Sequence, residues 1–98
     1  MTYEMKVRIT DPNTPKSMVS ERYYKLKCFF VYDEEQYGNG FFLNIEGKDF
    51  SSQYFDLRYD RSFRKSEKKK WLENWARNYW SGENGAWAIK SLEITKAE

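Results

Sequence analysis

The sequence predicts an α+β domain in two layers, in which one amphipathic helix packs on one face of a mostly antiparallel sheet of four to five strands. Two observations support this fold class. Segments in which apolar and polar residues alternate occur four times before the one segment with a helical period, and once after it. Strands that follow one another directly favour antiparallel pairing, because short turns are enough to connect them. The 98 residues fit a single domain spanning 1–98, and we expect residues 96–98 to be frayed.

The helix is predicted over about 15 residues, from Ser66 to Trp80. Its apolar residues recur in pairs four positions apart and fall within about half of the helix circumference. These residues are Trp71, Leu72, Trp75, Ala76, Tyr79 and Trp80. We interpret them as core, since large aromatic rings bury much area in a small domain. Ser66 is predicted to be the N-cap, and Gly82 is predicted to end the helix.

Five strands are predicted, over residues 3–10, 21–33, 41–46, 54–60 and 86–95. The polar segments 11–20 and 33–40 and the turns near 47–52 and 82–85 connect these elements, with Gly38 and Gly40 suited to positive φ. In a regular strand, the apolar residues in the first half of the last segment would lie on one face and those in its second half on the opposite face. This change of face predicts a β-bulge near Lys90 and Ser91.

The second strand has two unlike faces, and the sheet has one face that a single helix cannot cover. The predicted core face carries Tyr24, Leu26, Cys28, Phe30 and Tyr32. The opposite face mixes aromatic and basic side chains, namely Tyr23, Lys25, Lys27 and Phe29. A helix is about 10 Å wide, whereas five strands span about 24 Å. We therefore expect the second face to be available to a second copy of the chain, a partner protein or a stacked base.

The residue types exclude several classes of chemistry. The chain has no histidine, which removes nucleophilic sites that depend on histidine and every metal site with histidine ligands. Its one cysteine, Cys28, lies inside a predicted strand and is interpreted as a small core residue. The acidic run 33–35 lacks the spacing of a calcium loop and is interpreted as a solvated turn. The sequence thus predicts no catalytic residues, no metal, no cofactor and no enzymatic activity.

One acidic pattern is similar to that of the PD-(D/E)xK nucleases. It consists of Asp33 followed by the segment Glu46-Gly47-Lys48. In a hairpin of the predicted strands, however, Asp33 and Glu46 are separated by about six residues, or roughly 20 Å. Two carboxylates at that distance do not share a metal ion, so this function is rejected.

Charge and hydrophobicity give predictions about the partners and the cellular location of the protein. The net charge is only +2, so any affinity for nucleic acid depends on local clustering of basic residues. No stretch approaches the length of a membrane span, and the first twenty residues contain no apolar run typical of a signal peptide. We therefore predict a cytoplasmic protein without membrane association.

Basic residues cluster between the fourth strand and the helix. Segment 58–70 carries seven basic and two acidic residues, a net +5, so with a total of +2 the rest of the chain is −3. The basic residues are Arg58, Arg61, Arg64, Lys65, Lys68, Lys69 and Lys70. With the sheet-face residues Tyr23, Lys25, Lys27 and Phe29, they predict a surface for single-stranded nucleic acid, in which cations follow the backbone beside stacking rings.

Two other interpretations of the basic segment stay open. The same edge could bind an acidic protein surface, as in a protein-binding regulator or a self-associating subunit of mobile-element origin that binds no nucleic acid. Alternatively, the basic residues only keep an aromatic-rich protein soluble and pair with carboxylates such as Asp33 and Glu34.

Overall fold

A computed structural model describes residues 1–11, 21–34, 39–83 and 87–97. The predicted order of four strands, one helix and one strand is confirmed. The strands are β1 (Thr2–Thr10), β2 (Glu21–Asp33), β3 (Gly40–Gly47), β4 (Phe50–Asp56) and β5 (Ala88–Lys96), and the helix is α1 (Lys68–Asn78). The predictions for the loop at 12–20, for positive φ at Gly38, for the turn at 84–85 and for fraying of residue 98 lie outside the described residues. Of the other two residues expected to fray, Lys96 pairs with Tyr3 in β5, and the amide of Ala97 donates to the carbonyl of Thr2 at 2.8 Å.

The five strands form one antiparallel sheet in the order β4-β3-β2-β1-β5. In the β2–β3 hairpin, Asp33 pairs with Gly40, whereas Glu46 pairs with Lys27. Asp33 and Glu46 therefore lie six positions apart along the ladder, which is about 20 Å. This register confirms the predicted separation of the two carboxylates.

Strand β4 begins four residues earlier than predicted and ends four residues earlier. The predicted turn at 47–52 is in fact a tight turn through Lys48 and Asp49, and Asp49 tolerates the positive φ of 59° that the turn requires. Gly47 is required there, because a Cβ at this position would lie 2.7 Å from the Lys25 carbonyl oxygen. The strand ends at Asp56, whose carboxylate accepts hydrogen bonds from the amide and the guanidinium of Arg58.

The predicted irregularity in β5 is confirmed. Arg8 pairs with Ser91, but its neighbour Ile9 pairs with Ile89, so Lys90 is the extra residue of a β-bulge. The bulge allows Ile89 and Ile94 to pack on the same core although the alternation of the strand is broken between them.

The ends of the helix differ from the prediction. A 3-10 turn (Lys65–Glu67) precedes α1, and a π-helical turn (Tyr79–Glu83) follows it. Ser66 is therefore not the N-cap; Glu67 takes that position and makes no capping hydrogen bond through its side chain. The reason is that the chain closes the preceding turn through its backbone, with the Glu67 amide donating to the Arg64 carbonyl at 2.8 Å. Gly82 lies inside the π-helical turn rather than at the end of α1.

The helix packs on the sheet through only part of its apolar stripe. Leu72, Ala76 and Trp80 are buried against the sheet, together with Leu26, Cys28 and Phe30 of β2. The predicted core face of β2 is wrong at Tyr32, which is 48% exposed at the end of the strand, and Tyr24 is only half-buried. The remaining aromatic residues, Trp71, Trp75 and Tyr79, are only half-buried. These large rings lie on the β4 side of the sheet, where Trp71 packs against Phe55 and Trp75 packs against Phe50. Burial of Cys28 raises the pKa of its thiol to about 12, which fits a core residue.

None of the helices in the described ranges has the length and apolar composition needed to cross a membrane.

Candidate anion-binding groove

The structure separates the predicted basic residues into three places. Arg58 lies on the sheet side, where its guanidinium pairs with the Asp56 carboxylate (Nη2–Oδ2 2.7 Å) and lies 5.0 Å from the ring centroid of Phe42. Lys68 points into the protein. Five other side chains remain exposed on the loop and at the start of the helix, namely Arg61, Arg64, Lys65, Lys69 and Lys70.

The side chain of Lys68 is buried and packs inside the protein, although it carries a charged group. Only 8% of its surface is exposed. Its Nζ donates to the Lys65 carbonyl at 3.0 Å and lies 4.6 Å from the ring centroid of Phe41. Desolvation lowers the pKa of Lys68, and the charges of Lys65 and Lys96 lower it further. Lys68, which the sequence placed in the predicted basic surface, therefore lies apart from its exposed neighbours Lys69 and Lys70.

Arg61, Arg64 and Lys70 line one hollow of about 290 Å³ beside the indole of Trp71. The hollow includes the exposed polar side chain of Asn74, which can accept or donate hydrogen bonds. It also includes Glu67, the N-cap residue of α1, whose carboxylate offsets part of the positive charge at this end. The hollow is thus cationic at one end and carries an aromatic ring on its wall.

Asp60 holds this hollow in shape. Its carboxylate accepts hydrogen bonds from the Ser62 amide (2.8 Å), the Ser62 hydroxyl (2.6 Å) and Nε1 of Trp71 (3.1 Å). The hydrogen bond from the Ser62 side chain is the largest cause that lowers the pKa of Asp60. Because the loop and the indole share one carboxylate, the backbone that carries Arg61 is fixed relative to Trp71.

A second hollow of about 470 Å³ continues along the helix and shares Ser62, Trp71 and Asn74 with the first. Its walls add Trp75 and Tyr79, whose rings stack with centroids 5.0 Å apart. They also add Arg77, Asn78 and Asp60. We call the two hollows together the helix groove. It carries aromatic rings at three positions spaced four residues apart, and basic, acidic and amide side chains line it beside these rings.

Three lysines of the sheet lie beside a carboxylate, whereas the exposed basic residues at the helix groove do not among the described residues. On the sheet, Lys6 and Lys25 each lie 3.6 Å from a carboxylate oxygen of Glu4, and Lys90 lies 3.4 Å from one of Glu21. Of the carboxylates in the described ranges, none lies within 4.0 Å of the basic groups of the five exposed residues of the loop and helix start. The suggested pairing of these cations with Asp33 and Glu34 is therefore absent between the described side chains.

The predicted sheet-face residues Tyr23, Lys25, Lys27 and Phe29 are exposed on the face of the sheet away from the helix, as expected. They do not join the helix groove. Lys25 and Lys27 line a depression of about 650 Å³ that also contains Glu4 and Glu46, so its charges are balanced. Phe29 lines a separate depression of about 400 Å³.

The depression beside Phe29 brings members of the two predicted sets together, because Arg58 also lines it. Gly40 allows this position of Arg58, since a Cβ on residue 40 would lie 2.6 Å from the Arg58 Cγ. Phe42 and Tyr54 complete its aromatic surface.

Sequence reasoning missed the functional potential of Trp71, Trp75 and Tyr79, which it placed in the core. The available signal was the width of the apolar stripe, which exceeds what one helix can bury against a sheet edge. Within the described ranges, no group of three or more acidic or cysteine side chains is arranged to hold a metal ion.

No protein-family model, no curated protein and no solved structure matches this chain.

Proposed function

We propose that the protein is a non-catalytic binding protein that binds single-stranded nucleic acid in the helix groove. One observation carries this proposal: the exposed cations of the groove have no carboxylate partner among the described residues, whereas Lys6, Lys25 and Lys90 of the sheet each have one. Unpaired cations release counterions when phosphates bind, and this release is the main source of affinity for nucleic acid.

The three aromatic residues of the helix groove favour a single strand as the ligand over a duplex or an acidic protein. Trp71, Trp75 and Tyr79 extend over eight residues of helix, which is about 12 Å. That length matches about three stacked bases at 3.4 Å each. Bases of a single strand can stack on such rings, whereas those of a duplex are already stacked on one another.

The test compares two triple variants with the same change of net charge. Arg61→Gln/Arg64→Gln/Lys70→Gln removes cations that line the groove. The control Lys6→Gln/Lys25→Gln/Lys90→Gln removes paired cations of the sheet. Fluorescence anisotropy of a labelled single-stranded oligonucleotide, titrated at several salt concentrations, measures the affinity of each. The groove variant is expected to lower the slope of log affinity against log salt by about 2, which is 0.7 for each of three lost phosphate contacts. The control is expected to keep the wild-type slope.

An abasic oligonucleotide of the same length tests the aromatic part of the site. Stacking contributes about 1–3 kcal/mol per base, so the abasic strand is expected to bind at least about tenfold more weakly. Equal affinity for both strands would reduce the site to a general polyanion surface. Absence of binding at low salt, or equal loss in both triple variants, would overturn the proposal and leave an acidic protein surface as the partner to seek.

A further inference from the structure

The outer edge of β4 is an unpaired edge of the sheet, since β4 is the last strand on its side. The amide of Leu57 donates to the carbonyl of Phe41 at 2.9 Å. Alternation along an antiparallel ladder then directs the backbone N–H and C=O groups of Tyr54 and Asp56 outward. In the described part of the chain, no backbone group from outside the sheet bonds to them.

The two edges of the sheet are protected to different degrees. Natural sheets guard exposed edges with charged side chains, proline and bulges. β5 carries Lys90 at its bulge, and Glu93 and Lys96 further along. In contrast, β4 has no charged residue and no proline before Asp56, its last residue. The irregularity in the β3–β4 ladder lies at the turn end of the pair and leaves the part around Tyr54 regular.

An apolar patch adjoins this unguarded edge. Tyr54 is 63% exposed, and its ring stacks on that of Phe42 with centroids 5.9 Å apart. Phe29 and Val31, also exposed, extend the patch across the same face. The edge therefore offers free backbone hydrogen bonds together with aromatic surface that a partner can cover.

We propose that β4 pairs in antiparallel fashion with β4 of a second copy of this chain. This occupant is chosen because a second copy presents the same unguarded edge strand and its charges are compatible with self-pairing. When Tyr54 lies opposite the partner's Tyr54, Asp56 lies opposite Ser52, so no like charges face each other across the pair. Such an interface uses the same strand of both copies, as a two-fold dimer requires.

The dimer has one continuous sheet with both helices on the same side. The aromatic patches around Tyr54 merge on the other side and cover each other in part. The two helix grooves then face each other across the two-fold axis, because each lies on the β4 side of its helix. The proposal does not depend on nucleic-acid binding, and it is tested without nucleic acid.

Sedimentation velocity and light scattering over a range of concentrations measure the dissociation constant of the dimer. Tyr54→Lys places two ammonium groups opposite each other and is expected to raise this constant at least about tenfold. Tyr59→Lys is the matched control, since Tyr59 is 76% exposed but lies beyond the end of β4. A wild-type protein that stays monomeric up to about 1 mM would overturn the proposal, as would a dimer that both lysine variants affect equally.

Disulfide trapping tests the register itself. Cys28 is buried and its thiol has a pKa of about 12, so a thiol introduced on the surface is the reactive one. Tyr54→Cys is expected to give a covalent dimer under mild oxidation, since directly opposed residues of paired strands lie close enough for a disulfide. Tyr59→Cys is expected to stay monomeric at the same concentration. Trapping at residue 59 but not at residue 54 would place the interface elsewhere and refute the β4 pairing.

Discussion

Lys68 gives the sharpest test of how the start of the helix is built. Replacement by Ala removes three methylene groups of a buried stem, and each contributes about 0.8 kcal/mol when fully buried. It also removes the interaction of the ammonium with the Phe41 ring, which contributes about 0.5–1 kcal/mol. Relief of ammonium desolvation and of repulsion from Lys65 and Lys96 offsets part of this loss. We expect Lys68→Ala to lower the free energy of unfolding by about 2 kcal/mol.

The Lys68→Met variant distinguishes the contribution of the aliphatic stem to stability from that of the ammonium charge. Methionine keeps a long unbranched side chain and cannot be charged, so its stability is expected to stay within about 1 kcal/mol of the wild type. Lys69→Ala is the control, because Lys69 is exposed and its removal is expected to change stability by less than about 0.5 kcal/mol. Urea denaturation followed by tryptophan fluorescence measures all three variants. If Met were as destabilising as Ala, or Ala as mild as the control, the packing role of the stem would be refuted.

The pH dependence of the same variants has a defined sign. Burial depresses the pKa of Lys68 below its ordinary value of 10.5. In the pH range between the pKa of Lys68 in the folded protein and 10.5, the unfolded chain binds more protons than the folded one. The contribution of Lys68 to the free energy of unfolding therefore rises as the pH rises. The wild type is therefore expected to gain stability relative to Lys68→Met as the solution becomes alkaline. An unchanged difference between the two proteins over that range would contradict the assigned burial of the ammonium.

Two further predictions concern the turn of β4 and the loop before the helix. Gly47→Ala is expected to destabilise the protein by about 1–3 kcal/mol in urea titrations, because its Cβ would lie 2.7 Å from a carbonyl oxygen; Gly82→Ala, whose Cβ meets nothing within 4 Å, is expected to be neutral or slightly stabilising. Asp60 has a pKa below its ordinary 3.8, so its contribution to stability is present above that value and is lost as pH falls through the folded pKa. In acid, Asp60→Asn is thus expected to lose less stability than the wild type, and parallel acid titrations of the two proteins would contradict this.

The strands were predictable where one face of the sheet is buried, because alternation then appears directly in the sequence. The core face of β2 and the bulge at Lys90 follow from this rule. β4 was misplaced because its first half, Ser51 to Gln53, is polar on both faces and shows no alternation. Its actual start depends on the positive φ of Asp49, which a sequence pattern does not reveal. Similarly, Ser66 has the right residue type for an N-cap, but backbone hydrogen bonds of the preceding turn set where α1 begins.

The helix groove was beyond sequence reasoning for a different reason. Periodicity identifies which residues of a helix share a face, but not how far that face extends past the partner layer. The buried residues Leu72 and Ala76 of α1 face the sheet. Trp75 packs on Phe50 of β4, and β4 is an edge strand of the sheet. The rings therefore pack on Phe50 and Phe55 with one side and line the groove with the other.

Three lysines of the sheet, Lys6, Lys25 and Lys90, lie beside carboxylates, whereas the exposed cations of the loop have no such partner among the described residues. On the sheet, the register between neighbouring strands puts Lys25 and Lys6 beside Glu4. The loop and the start of the helix contain only two acidic residues among their seven basic ones. The carboxylate of one of them, Asp60, is already occupied by Ser62 and Trp71. If these cations served only solubility, an added polyanion would find no aromatic contact to strengthen its binding, and the abasic and normal strands would bind alike. A stronger affinity for the strand with bases is therefore the result that separates a binding site from a solvated surface.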